Sequence, residues 1–81
     1  MAKREKLLSK AKRNPSGLTF DELETLLAQS GWVKRRQEGS HHLWYSPGGF
    51  RLPVQPAGNG KAKGYQVKQF LARHENEADD E

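Results

Sequence analysis

No cysteine occurs among the 81 residues. That excludes disulfides and thiolate metal sites, and it makes a reducing compartment the simpler expectation. Apolar side chains are also scarce, at 33% of the chain, so only one small domain with a thin core is affordable and every aromatic is needed to cover it. No apolar run approaches the roughly 20 residues that span a bilayer. Met1-Ala2-Lys3-Arg4-Glu5-Lys6 leads into no apolar signal region. The expectation is a soluble, cytoplasmic protein with no membrane partner. Acidic residues are missing from most of the chain too. Glu75, Glu77, Asp79, Asp80 and Glu81 are five of the ten, so residues 1–74 set all 14 basic side chains against five acids, a balance of +9. Such a body attracts polyanions, of which nucleic acid is the commonest, although a merely solvated basic surface fits the charge as well.

What is present reads as helix, helix, three-strand meander, helix. Leu7, Leu8 and Ala11 form a narrow apolar stripe among Lys3, Arg4, Lys6, Lys10, Lys12 and Arg13, ending at Asn14-Pro15-Ser16-Gly17. This predicts a short basic helix over residues 1–14, either a solvated helix or a phosphate-contacting arm. Thr19-Phe20-Asp21-Glu22 has capping-box spacing, flanked by the staple pair Leu18 and Leu23. Phe20, Leu23, Leu26 and Leu27 share one face, and Gly31 suits a left-handed cap, so a helix is predicted over 19–30.

Three strands follow. Residues 32–37 form the first, in which simple alternation sets Lys34 and Arg36 on one face and Arg35 on the other. Residues 40–46 form the second, between the turns at Gly39 and Pro47-Gly48-Gly49. In the third, Phe50, Leu52 and Val54 alternate with Arg51, Pro53 and Gln55, and Pro53 marks an edge or an outward position. Leu43 and Trp44 point opposite ways and both want cover, so the pattern leaves the buried face open. After a basic, glycine-rich loop carrying Lys61 and Lys63, the residues Tyr65, Val67, Phe70, Leu71 and His74 trace the apolar face of a last helix over about 65–74. Beyond it an acidic tail, 75–81, either frays or folds loosely onto the basic body. The predicted class is α+β: a three-stranded antiparallel sheet packed by helices over residues 18–74.

Gly39-Ser40-His41-His42-Leu43-Trp44-Tyr45 is the stretch with chemical character. Histidine titrates near neutral pH, and at a strand start it is held by ladder hydrogen bonds while staying close to solvent. Each histidine could equally be structural. Three histidines, two of them adjacent, lack metal-ligand spacing, so neither a metal nor a cofactor is expected. Trp32, Trp44, Tyr45, Phe50 and Tyr65 could stack on bases, but a core this small needs most of them.

With these residues in place, the chain resembles the HicA toxins of bacterial HicA/HicB toxin-antitoxin systems. The resemblance runs from Leu18 to about Ala72. It covers the helix ending in Ser30-Gly31-Trp32, then Arg36-Gln37-Glu38-Gly39-Ser40-His41-His42, a third strand, and Lys63-Gly64 opening the last helix. It implies a fold like the double-stranded-RNA-binding domain, α-β-β-β-α, here with an extra N-terminal basic helix. It also implies an mRNA-cleaving endoribonuclease restrained by a HicB-type antitoxin, with no direct DNA binding by this chain alone. The histidine of Gly-Ser-His, which is catalytic in the family, falls on His41; His42 lies outside that signature, and His42 and Ser40 are auxiliary candidates. Many members carry a further histidine shortly after a proline that closes the third strand, whereas here Pro56 is followed by Ala57, Gly58 and Asn59.

RNA supplies its own nucleophile, the 2′-hydroxyl, so cleavage needs a base, an acid and positive charge. His41 is the candidate base. Lys34, Arg36 and Arg51 are candidates for the charge on phosphate, with Lys61 and Lys63 as further RNA contacts. The acid is left among His42, Tyr45, a lysine and water. Two other classes remain beside the nuclease: a non-catalytic RNA-binding module and a protein-interaction module.

Overall fold

The computed structural model describes residues 2–79. Helix α1 spans Ala2–Arg13, a 3-10 turn Pro15–Gly17, α2 Phe20–Gln29, β1 Val33–Glu38, β2 His41–Tyr45, β3 Arg51–Val54 and α3 Gly64–Asp79. The strands pair antiparallel in the order β1-β2-β3. This is the expected α+β architecture, consistent with a double-stranded-RNA-binding-domain-like fold preceded by one more helix. β3 lies at an edge, where the missing N–H of Pro53 is tolerated.

Helix α2 starts as its sequence dictates. The Glu22 N–H donates to Thr19 Oγ1 at 3.1 Å, and the Thr19 N–H donates to Glu22 Oε1 at 3.0 Å, so two otherwise free helix-start amides are satisfied reciprocally. Lys10 Nζ, reaching over from α1, adds a bond of 3.0 Å to the same carboxylate. The Thr19 backbone bond, followed by the Lys10 contact, holds the Glu22 carboxyl below the usual glutamate range. At the other end Gly31 turns the chain at φ +86°.

Helices α2 and α3 cover one sheet face, and α1 packs on both of them. The core between consists of Leu18, Leu23, Leu26, Leu27, Trp44, Leu52, Val54, Val67 and Phe70, all buried, with Trp32 edge-on to Phe70 at 5.3 Å. Ala11 is buried, while Leu7 and Leu8 rest half-buried on that core. The basic first helix is therefore docked along its narrow stripe.

Two expectations are corrected at the C-terminus. The last helix does not stop near residue 74 but runs to Asp79. Its acids find partners that offset their mutual repulsion: Glu75 lies 3.7 Å from Lys12, and Glu77 accepts from Ser46 Oγ and, at 3.0 Å, from the Gly48 N–H. The tail residues Asp80 and Glu81 lie outside the described residues. Tyr65, assigned to the apolar face, is 59% exposed. Gln66 takes the inward place instead, because its Oε1 accepts the Gln55 N–H at 3.1 Å and ties the end of β3 to α3.

Candidate functional site

The open face of the sheet is set by what the covered face demands. Trp44 pairs with Leu52, and His42 with Val54, on the helix side; alternation then sends His41, Leu43 and Tyr45 outward, opposite Pro53 and Arg51. His41 is exposed. His42 is not equivalent to it. Its side chain is only 12% exposed, its ring lies edge-on to Phe20 at 5.1 Å, and its Nδ1 bonds Glu24 of α2. The same Glu24 oxygen accepts from Trp44 Nε1 at 3.1 Å. One carboxylate thus fastens two successive inward side chains of β2, and so fixes which face His41 occupies.

The alternation expected for β1 fails at one point. Lys34 pairs with Trp44 but Arg36 pairs with Leu43, with a register shift between them. A β-bulge adds one residue to a strand and reverses the phase of everything beyond it. Lys34 and Arg36 therefore lie on opposite faces. Lys34 belongs to the helix side, 3.9 Å from Glu24 and bonded to Gln37 Oε1 at 3.1 Å. Arg35 is instead turned outward, with its guanidinium 5.8 Å from the Tyr45 ring centroid.

The result is a shallow cleft lined by Arg36, Glu38, His41, His42, Leu43, Arg51 and Pro53. Of the five cationic candidates, Arg36 and Arg51 share this cleft with His41. Lys61 sits before α3, with Nζ 3.5 Å from the Gly17 carbonyl and its backbone bridged to Thr19; Lys63 follows two residues later, also outside the cleft lining. Ser40 is exposed in the β1–β2 turn. Glu38, across the hairpin from His41, pairs with Arg36 at 3.3 Å. Both partners are highly exposed, and such a pair contributes about 0–1 kcal/mol, so a phosphate can compete for Arg36. Among the described residues, no group of three or more His, Cys, Asp or Glu side chains is arranged to hold a metal ion.

Sequence reasoning missed Glu24 and Arg35. Glu24 had a signal: it stands four residues after Phe20 and three before Leu27, inside the apolar stripe of α2, where a carboxylate needs a partner. Arg35 had none, because nothing in Val33-Lys34-Arg35-Arg36 marks a bulge.

A small basic α+β protein results, which leaves one sheet face uncovered and sets a histidine between arginines on it. The chain matches the family described as HicA toxin of bacterial toxin-antitoxin over residues 20–75, and it belongs to that family. It is accordingly a toxin of a toxin-antitoxin system, in which an antitoxin is the partner. No curated protein and no solved structure matched the chain. Among the described residues, no helix is long and apolar enough to cross a membrane.

Proposed function

We propose that this toxin is an mRNA-cleaving endoribonuclease in which His41 moves the proton, without a resident metal, and that a HicB-type antitoxin holds it inactive. The observation that carries this reading is the exposed His41 sharing one cleft with Arg36 and Arg51. Neutral His41 takes the proton from a ribose 2′-hydroxyl as that oxygen attacks the adjacent phosphorus. The bond from phosphorus to the 5′-oxygen breaks, leaving a 2′,3′-cyclic phosphate and, once the departing oxygen is protonated, a 5′-hydroxyl. Arg36 and Arg51 stabilise the negative charge that grows on the phosphoryl oxygens. His42 serves as a structural anchor through Glu24 rather than as a second catalyst, which leaves water or another cleft group as the acid. Since the nucleophile comes from the RNA, a metal is not required to make one. An inhibitor of such an enzyme is expected to cover His41 and to offer carboxylates to Arg36 and Arg51, which speeds encounter.

The test is incubation of the purified chain with mixed RNA in excess chelator. Cleavage with cyclic-phosphate ends is expected, and His41→Ala should lower the rate about 10²-fold or more. Loss of cleavage in chelator, or a His41→Ala protein that cuts as fast, overturns the mechanism. RNA that binds but stays intact would instead identify a non-catalytic binding module.

A further inference from the structure

The open face extends beyond the cleft. Tyr45 lies at the far end of β2, half-buried, with Arg51 opposite it on β3 and Val33 opposite it on β1, the latter 53% exposed. Arg35 follows the inward Lys34 and lies over this tyrosine, and the bulge then turns Arg36 to the same open face. A ring and a guanidinium plane are the two side-chain surfaces on which unpaired nucleobases stack. They are joined here to a cleft holding His41, Arg36 and Arg51, with Glu38 as the one carboxylate of that lining. From His41 to Tyr45 is four strand steps, about 13 Å. At a stacked rise of about 3.4 Å per nucleotide, that places Tyr45 within about four nucleotides of the phosphate at His41.

We infer that Tyr45 and Arg35 form a base-stacking subsite for single-stranded RNA, which lies along β2 with its scissile phosphate at His41 and an unpaired base on Tyr45. This rests on the ribonuclease reading above and deepens it by naming the substrate as unpaired RNA. The charge of the face selects a polyanion, and the half-buried ring with its guanidinium neighbour selects a base that is free of a duplex, because paired bases hide their faces. The occupant follows from both together. Trp32 and Trp44, the larger aromatics, are 4% and 6% exposed and cannot serve.

The experiment measures binding of short fluorescent oligoribonucleotides to the full chain carrying His41→Ala, so that affinity is read without cleavage. Abasic substitutions are scanned through the oligonucleotide, and the cut site is mapped separately with the native protein. One position within about four nucleotides of the cut should lose about 10-fold in affinity when abasic, in line with base stacking on an aromatic. Adding Tyr45→Leu, which keeps apolar bulk but removes the ring, should weaken the intact oligonucleotide by a similar factor and abolish the penalty at that one position. Tyr45→Phe should behave as the parent, and duplex of the same sequence should bind more weakly. An abasic profile unchanged by Tyr45→Leu overturns the subsite, as does equal affinity for duplex. Unaltered RNA affinity with lost antitoxin binding would show that Tyr45 faces the inhibitor, and this also refutes it. If the native chain fails to cut RNA while the abasic pattern holds, the nuclease reading falls and the stacking subsite stands.

Discussion

Glu24→Ala is the substitution with the largest structural consequence. The carboxylate accepts from His42 Nδ1 and from Trp44 Nε1 at 3.1 Å, and Lys34 Nζ lies 3.9 Å away. Truncation leaves two donors without an acceptor. Each orphaned donor costs about 1–3 kcal/mol when buried, and the His42 side chain, 12% exposed, can recover part of this from water. Two donors near the low end of that range give a total loss of about 2–3 kcal/mol. Total stability at about 0.05–0.15 kcal/mol per residue is about 4–12 kcal/mol for this chain, so the loss is between about a sixth and three quarters of it. Urea unfolding followed by tryptophan fluorescence should show a lower midpoint at unchanged slope, and the melting temperature should fall by about 10–20 °C. In a Trp44→Phe background, where one donor is already gone, Glu24→Ala should cost about 1 kcal/mol less. A Glu24→Ala protein within about 0.5 kcal/mol of the native one, the ordinary range for surface substitutions, would refute the anchor.

Four further outcomes are expected. Arg36→Gln and Arg51→Gln should each weaken RNA binding, and each should reduce the slope of log affinity against log salt by about 0.7, the value for one single-strand phosphate contact; unchanged slopes would place phosphate elsewhere. Thr19→Ala should cost about 1 kcal/mol through the lost helix cap. Because the folded state depresses the Glu22 carboxyl, its contribution is present above the unfolded value and lost as pH falls through the folded one. The stability gap between native protein and Glu22→Gln should therefore be full near about pH 6 and shrink as pH falls below the usual glutamate range. Glu77→Ala, which unties Ser46 and Gly48 from α3, should cost about 1 kcal/mol by urea unfolding, whereas a frayed tail would make it silent.

The sequence by itself determined what local physics controls. The capping box at Thr19 and Glu22, the apolar stripe Leu23, Leu26 and Leu27, the left-handed Gly31 and the edge position of Pro53 are all rules of short range, and each holds in the folded chain. The Gly-Ser-His stretch likewise marked His41 at a strand start. Tertiary structure decided which side of the sheet would be wet. Leu43 and Trp44 competed for cover, and Trp44 is held inward because α2 offers its indole both a core and the Glu24 carboxylate. That choice turns His41 outward and His42 inward. The bulge then decided which cations join His41, turning Arg36 outward beside Arg35 while Lys34 stays on the helix side. Strand alternation is a local rule, but its phase depends on every residue being paired, and one unpaired residue reverses it.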